Sequence, residues 1–156
     1  QEARIKWVND VYIKDKKVCG ILTEAALAME NGGLDYAVVG IGVNVFAPQE
    51  GFPPELREIA AALFPETKSK SGIKNELAAA ILNHFMDYYQ ELTAKAFLPE
   101  YRKRSFLLGK EIRILRGNAA QKATALAIDD HFRLVVRYPD GKEEALDSGE
   151  VSVGWR

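Results

Sequence analysis

The chain has 156 residues, 47% of them apolar and 28% charged, which is enough for one ordinary domain or two small ones and excludes a disordered or low-complexity chain. Its 21 Lys and Arg nearly balance its 22 Asp and Glu. The resulting net charge of −1 supplies no overall field to attract nucleic acid or an anionic membrane.

The chain opens at Gln1 without a signal-like prelude and reads like the middle of a protein. Residues 1 to 46 read as sheet. Ile5, Trp7, Val11, Tyr12 and Ile13 are good strand formers, Lys14-Asp15-Lys16 is a polar turn, and Val18 to Leu22 is a second apolar run, so a hairpin is expected. Cys19, the single cysteine, permits neither an internal disulfide nor a thiolate zinc site and points to a reducing, cytoplasmic compartment. Asn31-Gly32-Gly33 is a strong breaker, and Tyr36 to Phe46 reads as a strand buried on both faces. The apolar run there, Ala37 to Ala47, carries Asn44 and falls well short of the roughly 20 residues a membrane-spanning helix needs. Gly40 and Gly42 inside it need a reason, because glycine weakens a strand unless a ligand or another backbone comes close.

Pro53-Pro54 ends the extended region, and Glu55 to Leu63 has room for a short helix closed by Phe64-Pro65. Thr67 to Gly72 reads as polar linker. Ile73, Leu77, Ile81, Phe85, Tyr88 and Leu92 then recur at three and four residue steps, which predicts a helix with one apolar stripe. Phe97 to Ser105 reads as a short helical turn carrying Arg102-Lys103-Arg104, most simply a solvated face. After Gly109 the period becomes two. Ile112 and Ile114, Ala123 to Ile128, Phe132 to Tyr138, and Val151 with Val153 predict short antiparallel strands of a small barrel, with turns at Asp129-Asp130 and Pro139-Asp140-Gly141. A domain boundary is placed near Gly109, giving domains 1–108 and 109–156.

Several familiar sites are excluded. Gly40-Ile41-Gly42 lacks the third glycine of a dinucleotide fingerprint, since position 45 is Val, and lies within a strand. His84 and His131 have no second ligand at metal spacing, no serine sits in a nucleophile elbow, and Cys19 lies in an apolar strand. Covalent catalysis is not expected.

The order of residues carries more than their composition. Lys6-Trp7-Val8-Asn9-Asp10, Lys17-Val18-Cys19-Gly20-Ile21-Leu22-Thr23-Glu24 and Val39-Gly40-Ile41-Gly42-Val43-Asn44-Val45 resemble three successive motifs of the biotin protein ligases. Val8 stands where that family usually has Pro. Arg104-Ser105-Phe106-Leu107-Leu108-Gly109-Lys110 and Leu146-Asp147-Ser148-Gly149-Glu150-Val151-Ser152 resemble the lead-in and last strands of the family's SH3-like C-terminal domain. The resemblance implies an α+β fold: the remnant of a mixed sheet with flanking helices, as in a class II synthetase-like catalytic domain, followed by a small SH3-like β-barrel. The family's Gly- and Arg-rich biotin loop lies upstream of these motifs and is not in this sequence. Nor is the winged-helix DNA-binding module that some members carry.

The resemblance further implies that biotin is activated by ATP to biotinyl-5'-AMP and then transferred to a lysine of a carboxylase biotin carrier domain. Joining a carboxylate to an α-phosphate brings two anions together, so fixed positive charge and Mg²⁺ are needed where they meet. Lys17 matches the family's active-site lysine, and Asp10 an acidic residue that supports Mg²⁺ or accepts a proton. Gly20, Leu22 and Gly40, with Lys17, match positions at the biotin pocket. Asn9 and Asn44 match the ATP side, Asn44 as the adenine reader. The chain alone is expected to be inactive. Residues 1 to 46 would present an open sheet edge, so a homodimer is expected. The alternative is a non-catalytic module that binds a protein partner through the barrel from Lys110 to Trp155. A nucleic-acid role, suggested only by Arg102-Lys103-Arg104, is disfavoured by the net charge.

Overall fold

A computed structural model of the protein describes residues 2–28, 33–64, 71–116 and 119–153. The chain divides into two compact units, Gln1–Ala3 with Asn9–Glu76, and Arg4–Val8 with Leu77–Arg156. This division is by compactness, whereas the boundary at Gly109 marks a change of sequence period.

The first unit is built on the expected hairpin. Lys14 and Asp15 both take positive φ, 50° and 63°, as a type I′ turn requires, and join β2 (Asp10–Ile13) to β3 (Lys16–Leu27). The β2–β3 ladder sets Asp10 opposite Gly20 and Val11 opposite Cys19 before a bulge. Val18, passed over at that bulge, is buried. β3 continues antiparallel to β4 (Leu34–Val43), with Gly20 opposite Gly42 and Leu22 opposite Gly40. Asn31 and Gly32 of the expected breaker lie outside the described residues.

Two expectations are corrected here. β4 was expected to be buried on both faces, yet it is exposed along nearly its whole length, Leu34, Tyr36 and Val38 included, because no described element of this unit covers it. Glu55 to Leu63 forms turns rather than a helix. The reason is competition for backbone hydrogen bonds. Ile59 gives its carbonyl to the Lys17 amide (2.8 Å) and Ala61 gives its amide to the Lys17 carbonyl (2.9 Å), which draws the segment alongside β3. Pro65 and most of the 67–72 linker lie outside the described residues.

α1 (Ile73–Gln90) forms where the period predicted, although Leu92 falls beyond it in a 3₁₀ turn, Leu92–Ala94. Its stripe is not a core. Ile73, Leu77 and Ile81 are half-buried, whereas Phe85, Tyr88 and Leu92 are exposed. Among the described residues no helix is long and apolar enough to cross a membrane.

The second unit holds the core. β1 (Arg4–Lys6) meets the end of α2 (Leu98–Arg104) through a parallel bridge between Ile5 and Ser105. The C-terminal strands are β5 (Glu111–Arg116), β6 (Ala119–Ile128), β7 (Leu134–Arg137), β8 (Glu143–Leu146) and β9 (Glu150–Val153), an antiparallel sheet in the order β8-β7-β6-β5-β9. Alternation places Ile112, Ile114, Ala123, Ala125, Leu134, Val136 and Val151 inward around Leu107. β8 had no clear signal in the sequence, since Glu143-Glu144-Ala145-Leu146 lacks β-branched residues.

Arg102-Lys103-Arg104 is not a bare solvated face. Arg102 donates to the Ile128 carbonyl (2.7 Å) and to Asp130 (2.7 Å), and Arg104 pairs with Glu100 (2.7 Å). Arg102 thus ties α2 to the end of β6, and its neighbour Arg104 is spent within the helix.

Candidate active site

Six of the residues expected at the site, Asn9, Asp10, Lys17, Gly20, Leu22 and Gly40, line one open cavity of about 550 Å³ in the first unit, together with Ile21, Ile41 and Gly42. The hairpin register explains the gathering. Asp10 and Gly20 are cross-strand partners, Lys17 sits just beyond the bulge, and Leu22 faces Gly40 on the next strand. The Lys17 Nζ lies 2.6 Å from Asp10 Oδ1, with the carboxylate side chain 17% exposed and the lysine 43%, so the anion is the more enclosed member. This geometry holds the ammonium at the cavity wall while leaving it open to an incoming anion.

Gly20 makes that pairing sterically possible. A Cβ there would stand 3.0 Å from both Cε and Nζ of Lys17 and 3.5 Å from Asp10 Oδ1. Gly40 and Gly42 differ, because a Cβ at either would meet only backbone oxygen, at 3.7 Å. Their missing side chains therefore widen the cavity rather than relieve a clash. Ile21, Ile41 and Gly42 were not picked out as site residues. The signal that could have found them is the antiparallel register, which brings each beside an expected residue.

Asn9 latches the loop to β3: its side-chain Nδ2 donates to the Ile21 carbonyl, and its own carbonyl accepts the Ile21 amide at 3.0 Å. Asn44 does not line this cavity. It follows β4, half-buried, with Nδ2 donating to the Ala61 carbonyl (3.1 Å), its amide to Val18 and its carbonyl taking the Leu63 amide (both 2.9 Å). The amide nitrogen is thus engaged with the 59–64 segment. Trp7, grouped with Asn9 and Asp10 by sequence, instead lies in the core of the second unit, with its indole N–H donating to the Phe132 carbonyl at 2.8 Å.

Burial pushes the Cys19 thiol above its ordinary range, against the pull of the nearby Lys17 charge, which keeps it protonated and unreactive. Among the described residues no group of three His, Cys, Asp or Glu could hold a metal ion. Asp10, with one oxygen committed to Lys17, is a single ligand at most, so these residues do not form a metal cage.

Comparison with known proteins agrees with the motifs. Residues 1–44 match the biotin/lipoate A/B protein ligase family and residues 107–154 the biotin protein ligase C-terminal domain. A bifunctional ligase/repressor BirA from Bacillus spizizenii is 31% identical over 156 residues, which cover 96% of this chain and 46% of the relative. A biotin–[acetyl-CoA-carboxylase] ligase from Mycobacterium tuberculosis is 29% identical over 154 residues, covering 96% and 53%. The chain spans about half the length of the curated relatives it matches. A solved structure of the Aquifex aeolicus biotin protein ligase with biotin and ATP superposes with a TM-score of 0.73 at 26% identity, over 97% of this chain and 62% of that one. Its apo form gives 0.76 over 98% and 65%. Both ends of the chain thus match biotin protein ligase family models, and its fold is that of a solved biotin protein ligase.

Proposed function

We propose that the chain carries the lysine-bearing half of a biotin-activating site, in which biotin and ATP form biotinyl-5'-AMP and the biotin then passes to a lysine of a carboxylase carrier domain. The observation that supports this most is the Lys17–Asp10 pair at the wall of a cavity made by glycine-spaced strands. When the biotin carboxylate approaches the α-phosphate, the Lys17 ammonium bridges oxygens of both and offsets their repulsion. In the second step it stabilises the charge that develops as the carrier lysine attacks the mixed anhydride carbonyl and AMP departs. Asp10 pairs with the ammonium and keeps it aimed. Gly20, Leu22 and Gly40 take the biotin rings against strand backbone, while Asn9 and Asn44 lie toward the nucleotide. Asp10 would be the carboxylate nearest to a Mg²⁺ arriving with ATP, a metal that would supply charge neutralisation at the phosphates. Residues 1–108 belong to the catalytic domain and 109–156 to the C-terminal domain of such an enzyme, working in the cytoplasm. The exposed β4 further supports pairing with a second copy of the chain.

Binding of a hydrolysis-resistant biotinyl-adenylate analogue, followed by calorimetry, tests the site without requiring turnover. Saturable binding is expected, weakened roughly 10- to 100-fold by Lys17→Ala through loss of a charge-assisted contact worth about 1.5–3 kcal/mol. It should be abolished by Gly40→Val, a strand-compatible change that fills the cavity. Binding indifferent to Gly40→Val would contradict the assignment.

A further inference from the structure

Within the first unit, β3 and β4 diverge beside Lys17, and the 59–64 backbone pairs with both. Past the Cys19–Val43 pair the Asn44 amide still reaches the Val18 carbonyl (2.9 Å). One residue further, Lys17 turns to the 59–61 backbone in a parallel bridge with Ala60: its amide donates to the Ile59 carbonyl (2.8 Å) and its carbonyl accepts the Ala61 amide (2.9 Å). On the other side the Asn44 carbonyl accepts the Leu63 amide and the Val45 carbonyl the Phe64 amide, both at 2.9 Å. Asn44 also uses its side chain, with Nδ2 donating to the Ala61 carbonyl at 3.1 Å. Residues 59–64 read Ile-Ala-Ala-Ala-Leu-Phe and bring no polar side chain of their own. Apart from the Phe64–Phe46 ring contact at 5.7 Å, backbone bonds and the Asn44 amide are what seat them. All of these residues belong to the first unit.

We propose that Asn44 is a positioning residue for Lys17. By holding the Ala61 carbonyl it keeps the 59–61 backbone in place, and that backbone fixes the peptide groups on both sides of the Lys17 Cα, from which the ammonium reaches Asp10. That Lys17 must be aimed for biotin adenylation rests on the function proposed above, but the positioning itself does not. A merely structural role of Asn44 would loosen the β3–β4 ladder along its length, whereas positioning is felt at Lys17 and Ala61 first.

Nuclear magnetic resonance of the full chain, with neither biotin nor ATP added, separates the two. Asn44→Asp keeps the size of the side chain and removes its donor. It is expected to speed exchange of the Lys17 and Ala61 amides about tenfold, the scale of one lost hydrogen bond, while ladder amides around Ala25 and Ala37 keep their rates. The Lys17 ε-methylene resonance, identified by its loss in Lys17→Arg, is expected to move toward that of the exposed Lys14. Val39→Ala, a change in β4 away from the 59–64 segment, is expected to alter neither signal. If Asn44→Asp fails to fold, Asn44→Ala carries the same test. Lys17 and Ala61 signals unaltered in the Asn44 variant, or altered equally by Val39→Ala, would overturn the proposal. Because no substrate is present, its failure is distinct from failure of the ligase reading, which analogue binding tests.

Discussion

Gly20 and Lys17 depend on one another. A methyl group at Gly20 would press on the flexible end of the lysine, 3.0 Å from Cε and Nζ, so that the ammonium would have to shift from its present seat against Asp10. Gly20→Ala is therefore expected to leave the unfolding midpoint almost unchanged and to lower biotin-dependent pyrophosphate release, measured with the preceding half of the Bacillus spizizenii relative added, by about 10- to 100-fold, the scale of losing one preorganised donor. Gly42→Ala, whose nearest neighbour is backbone oxygen at 3.7 Å, should retain most activity. Equal losses from the two substitutions would mean that the glycines act through strand stability and not through Lys17. That Lys17, Asp10 and Gly20 belong together was expected from the resemblance of their motifs to those of the biotin protein ligases, and the short hairpin between them is what brings them into contact. Trp7 was legible as important but not in its place, since the carbonyl it meets belongs to Phe132, 125 residues away, and no local pattern encodes such a contact.

At the scale of elements, the turn between β6 and β7 is held by Asp129. Burial alone would raise its pKa, but the hydrogen bond from the Arg133 side chain and those from the backbone amides of Arg133 and His131 outweigh it and bring the carboxyl to about 2. A folded pKa below the ordinary aspartate value near 3.9 stabilises the folded state above about pH 4 and is lost as the pH falls toward 2. Asp129→Asn should flatten the acid limb of the stability profile over that window while leaving its slope near neutrality unchanged, as followed by circular dichroism. A wild-type acid limb retained in the variant would assign acid sensitivity to other carboxylates. β4 presents the opposite situation: ten residues with an apolar character on both faces and no lysine or proline to blunt its edge. Val38→Lys should therefore shift the protein from dimer to monomer in sedimentation at micromolar concentration, and a monomeric wild-type chain would contradict strand pairing. The helix stripe, the hairpin and most C-terminal strands were readable from period alone. The turns at 55–63 were not, because what prevents a helix there is the backbone of Lys17, which those turns satisfy.

At the scale of the whole molecule, the buried core and the candidate site fall in different units. The well-buried apolar residues gather in the second unit around Leu107, Leu134 and Val136, each 0% exposed, whereas the cavity lies in the first, where among the described residues Val18 is the buried apolar one. Leu134→Ala should cost about 2–5 kcal/mol in denaturant unfolding, as core truncations do, while Leu82→Ala on the exposed side of α1 should stay within roughly 0.5 kcal/mol. The sequence announced the sheet, the helix and the change to period two, but not that β4 and the stripe of α1 would stand uncovered. Hydrophobic patterning reports which residues a fold intends to bury, not whether the layer that buries them is in the same stretch of chain.

Of the functional proposals, the one to test first is that Lys17 supplies the charge for biotin adenylation. The measurement that tests it most directly is pyrophosphate release from ATP in the presence of biotin, made on the chain alone, on the chain mixed with the preceding half of the Bacillus spizizenii relative, and on the same mixture with Lys17→Ala. Release that appears only in the wild-type mixture and falls about 100-fold or more in the variant is the predicted result. Release that survives Lys17→Ala, or none from halves shown to associate, would contradict the account.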